Sequence, residues 1–183
     1  QHRLAACKEL GLPVFYMVMK SAGLDQTQRQ NALSKKWAIT DVLESFCKRE
    51  FSNYIVIKSF MEDFGFTLYQ SLTILTLNQL STEQTIYFKS GTFEIKDLNR
   101  SKIVAKNLLK LKDVVALSDT IIFRAFFHLV TKCEQFDVDY FIQKMQYQSQ
   151  KFKKQRDRAL QIENIEEIYN YRNQNKVNLR IIK

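Results

Sequence analysis

Four glycines and one proline in 183 residues set the tightest limit on what this chain can fold into. Hairpin-rich folds draw on glycine, proline and their turn partners at every bend. A chain this poor in both predicts mostly helix. Apolar residues at 45% and aromatics at 13% supply a sizeable core at this length, as one domain or as two small lobes. The same figures separate the chain from disordered sequences.

A buried strand is expected in the opening stretch, which makes the fold class mainly α with an α+β start. Gln1-His2-Arg3-Leu4-Ala5-Ala6-Cys7-Lys8-Glu9-Leu10 reads as a short amphipathic helix over 2–10, with Gly11 just past its end as a cap. Pro13 then launches the run 14–19, apolar on both faces as in a buried strand. Helix followed by buried strand is half of an α/β unit, so the partner strand is expected before Gln1. The start of such a helix presents unpaired N–H groups and partial positive charge, which suit a phosphate, and Arg3 and His2 add charge there.

Residues 24–36 are polar, lack a period and read as a linker. Helical patterning begins near Trp37. Thr40 is the expected cap for a helix with Val42, Leu43, Phe46 and Cys47 inward. Asn53 is expected to cap the next, which Gly65 ends. Thr67 with Gln70 forms a capping box ahead of Leu68, Leu72 and Leu75. These two helices make a candidate helix-turn-helix in which Gln70, Thr73 and Asn78 could touch bases. Against it, no Lys or Arg occurs between Lys58 and Lys89, so a plain helical hairpin is the alternative.

Residues 85–95 alternate loosely around Ser90-Gly91 and read as a small hairpin or an extended loop. Val104, Leu108, Leu111 and Val115 restore helical spacing after Asp97. Ser118 and Asp119 open a helix that is apolar nearly all round and is therefore expected at the centre of the core. Asp137 is expected to cap a helix through Phe141 and Met145. A last long helix is expected over 153–172, followed by a tail. The corresponding division of the chain is 1–23, 24–82 and 83–183.

Three scattered cysteines and two histidines give no zinc spacing, and unpaired thiols fit a reducing cytoplasm. No run is long and apolar enough to span a bilayer; a leader ahead of Gln1 stays open. The formal net charge of +9 favours polyanionic partners. Lys102, Lys106 and Lys110 repeat every four residues and share one helix face. Lys144, Lys151, Lys153, Lys154, Arg156 and Arg158 cluster more densely, with Tyr147 and Phe152 interleaved as in surfaces that stack bases beside phosphates. Arg124, His128 and Lys132 form a further stripe, but no carboxylate stands at a spacing that would orient the histidine for catalysis. No catalytic triad, metal set or P-loop pattern is present.

Gln1-His2-Arg3-Leu4-Ala5-Ala6 followed by Leu10-Gly11-Leu12-Pro13-Val14 resembles the phosphate-binding motif of the ParB and sulfiredoxin superfamily. In that family the motif follows a strand and a glycine and opens a helix leading to another strand. ParB proteins hold the triphosphate of CTP with an acidic-Arg-Arg turn, and sulfiredoxins hold ATP with a Cys-His-Arg turn. Arg3 matches the shared arginine and His2 the sulfiredoxin histidine. Gln1 stands where ParB has its acid and sulfiredoxin its cysteine, which removes the sulfur nucleophile and departs from the ParB turn. The motif covers roughly the first 20 residues and is of moderate specificity. Residues 37–51, 54–65 and 88–93 look like the region after the ParB-like domain in phage and mobile-element proteins.

The resemblance implies the second half of a small ParB-like α/β unit followed by a multi-helix bundle. It implies a non-enzymatic nucleic-acid-binding protein of phage or plasmid type in the cytoplasm of a bacterial host. Gln1, His2 and Arg3 would take a phosphate or a nucleoside triphosphate, CTP or ATP. The polyanion would be DNA in preference to RNA, held by the two basic faces, with a homo-oligomer left open. A nucleotide-dependent CTPase or nuclease, and a basic assembly or inhibitor protein that binds acidic protein surfaces, are the alternatives.

Overall fold

The computed structural model describes residues 2–11 and 38–180, the side chains of residues 2–4 excepted. The chain divides into two compact units, Gln1–Ala38 and Ile39–Lys183. In the first, α1 (His2–Glu9) forms where the amphipathic pattern predicts it. Its end is closed by Leu10 N–H to the Ala6 carbonyl at 3.0 Å, with Gly11 in the left-handed region at φ 62°. The strand expected over 14–19, the linker over 24–36, Trp37 and Gln1 all lie outside the described residues.

The second unit is a bundle of α-helices: α2 (Ile39–Lys48), α3 (Ser52–Phe64), α4 (Leu68–Thr76), α5 (Thr82–Ser90), α6 (Leu98–Leu111), α7 (Thr120–Lys132), α8 (Val138–Gln148) and α9 (Arg158–Tyr169), with one 3₁₀ turn, Ser149–Lys151, after α8. The mainly α class holds, and no strand occurs among the described residues. From α4 to α9 the helix starts are set by polar caps instead of glycine and proline. Asp97, Asp119, Asp137 and Asp157 each accept a backbone N–H of the helix they open. Thr67 with Gln70 and Ser81 with Gln84 close full capping boxes. Each such cap satisfies donors that the helix itself leaves unpaired.

As its all-round apolar pattern predicts, α7 is the core helix. Phe123, Phe126, Phe127 and Leu129 are buried, and α7 packs against α6 and α9. A second aromatic group (Phe46, Phe51, Tyr54, Phe88, Phe93) joins α2, α3 and α5. At its centre Tyr54 donates its hydroxyl to the Phe88 carbonyl at 2.7 Å. Gly91 ends α5 in the left-handed region at φ 86°, and a Cβ there would stand 2.7 Å from the Phe46 ring. No other residue fits that place without a shift.

Several expectations are corrected. Thr40 lies inside α2, whose first residue is Ile39. Phe51, not Asn53, precedes α3, and Asn53 Nδ2 instead donates to the Phe93 carbonyl at 2.9 Å. Residues 85–90 are helical as part of α5, so the hairpin reading fails there. The last helix runs Arg158–Tyr169 instead of 153–172. It starts late because Asp157 caps it, and because Gln161 and Asn164 reach back to carbonyls of Lys153 and Lys151 and hold the preceding stretch extended. The compact unit also runs across the division expected at 82–83, since α4 packs on α6.

The candidate helix-turn-helix is a hairpin built into the core. Every residue of α4 except Tyr69 is buried. Gln70 Nε2 donates to the Leu117 carbonyl at 2.7 Å and Thr73 Oγ1 to the Tyr69 carbonyl at 2.8 Å. Two of the three side chains considered for base contact are thus committed inside the protein, and Asn78 alone is exposed.

Candidate nucleic-acid interface

The lysine stripe on α6 forms as its spacing predicts. Lys102, Lys106 and Lys110 are exposed, while Val104, Ala105, Leu108 and Leu111 are buried on the opposite face. Lys110 Nζ pairs with Asp139 at 2.7 Å, which offsets the positive charge at that end of the stripe. Lys102 and Lys106 form no ion pair among the described residues.

The 144–158 cluster separates into parts with different surroundings. Lys154 pairs with Asp119 at 2.5 Å and Arg156 with Asp157 at 3.5 Å. Lys151, Lys153 and Arg158 are exposed. Lys144 is half-buried, and its Nζ donates to the Tyr171 carbonyl at 2.6 Å. Phe152 is not a surface ring. It stacks at 6.2 Å from Phe126 and meets Phe141 edge-on, closing the core beneath α8. Tyr147 is the reverse case, 77% exposed.

Around Tyr147 the structure gathers residues that the sequence keeps apart. Tyr140, Lys144 and Tyr147 share one face of α8, being four and three residues apart. Tyr171 and Arg172, from the segment after α9, complete the wall of a recess of about 470 Å³ with Gln143 and Gln148. Lys144 Nζ lies 4.9 Å from the centre of the Tyr140 ring. Lys151 Nζ and the Arg172 guanidinium lie 5.4 and 5.3 Å from the Tyr171 ring. Such cation–ring contacts hold charge and aromatic surface together at the recess. Tyr140, Tyr171 and Arg172 were not anticipated as site residues. The helical spacing of Tyr140 with Tyr147 was the one local signal for them.

The segment carrying Tyr171 and Arg172 is tied down at several points. Asn170 exchanges two hydrogen bonds with Val177, at 2.7 and 2.8 Å. Arg180 pairs with Glu163 at 2.9 Å and Glu166 at 3.0 Å, and Leu179 N–H donates to Glu166 at 2.7 Å. Tyr169 donates its hydroxyl to the Gln135 carbonyl and accepts from Asp137 N–H. Tyr140 packs edge-on against that buried ring at 4.8 Å.

Elsewhere the surface offers less chemistry. His128 is half-buried on α7, and burial, then Arg158 and Lys132, push its pKa below the ordinary value. These influences disfavour the charged imidazole, and among the described residues no carboxylate pairs with it to orient it as a general base. Among the described residues no three His, Cys, Asp or Glu side chains group as metal ligands, and no helix is long and apolar enough to cross a membrane. A larger open groove of about 710 Å³ runs beside α5, lined in part by Asn78, Tyr87 and Phe93, with Lys96 opposed by Glu94. It has volume but no charge bias. No family model, curated protein or solved structure matches the chain.

Proposed function

We propose that the protein binds nucleic acid, and that the surface it uses is the cationic, aromatic face built from α8, the 151–158 stretch and the segment after α9, with the Lys102–Lys106 stripe as a second contact. The observation that carries this reading is Tyr147, an exposed ring (77%) in a recess bounded by Lys144 and Arg172. Cations supply sequence-independent affinity for phosphates, and an exposed ring beside them offers a stacking surface for a base. The net charge of +9 agrees with a polyanionic partner.

The resemblance of the opening turn to the ParB and sulfiredoxin motif supports a narrower form of the same reading: a DNA-binding protein of phage or plasmid type, resident in a bacterial cytoplasm. In that form α1 is the helix that follows the phosphate turn. Gln1, His2 and Arg3 would hold a phosphate or a nucleoside triphosphate on its free N–H groups. Equilibrium dialysis against CTP and ATP tests this half. Binding that Arg3→Ala abolishes supports it, and no uptake of either nucleotide removes it.

Titration of labelled DNA over a range of salt tests the main reading. Affinity should fall steeply with salt, and replacing Lys151, Lys153 and Arg156 together by alanine should flatten the slope by up to about three phosphate contacts. Absence of binding to duplex and to single-stranded DNA at low salt would overturn it.

A further inference from the structure

We infer that the recess between Tyr140, Tyr147 and Tyr171 receives an unpaired nucleobase, so that the protein selects single-stranded nucleic acid over duplex. The inference rests on the nucleic-acid reading above and specifies which form of the polymer this face takes.

Three observations carry it. The first is the character of Tyr147. Its ring stands 77% exposed and packs on no other aromatic ring among the described residues. A base within a duplex has its faces covered by its neighbours, so only an unpaired base can offer one to this ring.

The second is the shape of the charge. Lys144 faces inward, committed to the Tyr171 carbonyl, while Lys151 and Arg172 are exposed at the Tyr171 ring. Aromatic surface in the recess and cations at its edge match a base directed inward with its phosphates outside. A recess of about 470 Å³ lies within the range of roughly 300–1,000 Å³ that small-ligand sites occupy. A flat basic face that tracks a duplex backbone would need no such hollow.

The third is an unsatisfied acceptor. Gln148 lines the recess and is only 9% exposed. Its Nε2 donates to the Tyr147 carbonyl at 2.8 Å, and its Oε1 has no hydrogen-bond partner among the described residues. An enclosed amide oxygen without a donor is destabilising. Every nucleobase carries an N–H donor on its pairing edge, free only when the base is unpaired. Turning the amide outward, which gives up the bond to the Tyr147 carbonyl, would bring the two together.

The test uses fluorescence anisotropy on the full chain with a DNA strand of mixed sequence, its duplex, and the RNA strand of the same sequence. Either single strand should bind about tenfold or more tightly than the duplex. Tyr147→Ala should weaken single-strand binding about tenfold, and Tyr147→Phe should restore it. The slope with salt should stay unchanged in both, since no phosphate contact is removed. A 2-aminopurine placed in the strand should lose fluorescence on binding to the wild type and not to Tyr147→Ala. Tyr147 is exposed, so a matching melting curve shows that the fold is intact. Equal or tighter binding of the duplex, or an unchanged affinity in Tyr147→Ala, overturns the recess assignment and leaves general nucleic-acid binding standing. Loss of binding for all three polymers at low salt overturns both.

Discussion

Lys144 donates from Nζ to the Tyr171 carbonyl across 2.6 Å while the same ammonium lies 4.9 Å from the centre of the Tyr140 ring. One side chain thus joins α8 to the segment after α9 and touches Tyr140 and Tyr171, two of the three tyrosines of the recess. A hydrogen bond from a charged donor contributes more than a neutral one, about 1.5–3 kcal/mol when well enclosed, and less here because Lys144 is half-buried. Lys144→Ala should therefore cost about 1 kcal/mol in urea unfolding. Its larger effect should be local. Amide exchange over 170–177 should accelerate while that of α7 stays unchanged, as hydrogen-exchange mass spectrometry would resolve.

Gly91 is the position where the packing allows no side chain. Its φ of 86° disfavours any L-residue, and an added Cβ would meet the Phe46 ring at 2.7 Å. Gly91→Ala should destabilise the protein by about 1–3 kcal/mol from backbone strain and overpacking. At a few degrees per kcal/mol for a chain of this size, a thermal scan should show the midpoint lowered by several degrees. Below that midpoint nucleic-acid affinity should stay at the wild-type level, because Gly91 lies in the aromatic group of α2, α3 and α5 and not at the recess.

What was legible in the sequence, and what was not, follows from the range over which each signal acts. The caps at Thr67, Asp119 and Asp137 are local, a polar side chain and an N–H two or three residues on, and they form where the residues predict. The burial of α7 follows from apolar residues on all of its surface but the narrow stripe of Arg124, His128 and Lys132. Helix α5 was misread because its apolar residues show no period. Ile86 and Tyr87 are exposed and Phe88 alone is buried, so its place is set by the Ser81–Gln84 box and by Phe88 entering a distant aromatic group. The late start of α9 depends on Asn164 and Gln161 reaching 8 to 13 residues back. The recess was only half visible. The cation cluster and Tyr147 stand together in sequence, but Tyr171 and Arg172 arrive through a turn held by Asn170 and Val177, which no pattern reports.

Burial of α4 leads to a prediction that separates a core hairpin from a DNA-reading one. Gln70 bonds to Thr67 at one end and to the Leu117 carbonyl at the other. Gln70→Ala leaves that enclosed carbonyl without its donor and opens the capping box, at a cost of about 2 kcal/mol. Its effect should appear in the unfolding midpoint and not in DNA affinity measured well below it. Asn78→Ala, on the exposed residue after α4, should change neither. A selective loss of DNA binding in either variant with stability unchanged would restore the helix-turn-helix reading.

Asp119 links the start of the core helix to the basic stretch, and this makes its contribution dependent on pH. Its carboxylate pairs with Lys154 at 2.5 Å and accepts from the N–H groups of Ile121 and Ile122 at 2.8 and 3.2 Å. The Lys154 hydrogen bond is the largest influence and lowers its pKa; burial opposes it, and the two backbone bonds lower it further, leaving the net value below the usual 3.8. A carboxyl whose folded value is depressed binds protons less readily in the native state than in the unfolded one. The stabilisation is thus fully present above the unfolded value and is lost as pH falls through the lowered folded value. Asp119→Ala should cost about 1 kcal/mol near neutral pH. Urea midpoints of the two proteins should then converge as the pH is taken below 3.8. Asp119→Asn keeps a capping oxygen and loses the charge, so it should recover most of the neutral-pH stability while this site's contribution no longer varies with pH. A constant gap between wild type and Asp119→Ala across the acid range would show that the cap acts through its geometry and that the ion pair with Lys154, whose side chain is 61% exposed, is screened by solvent.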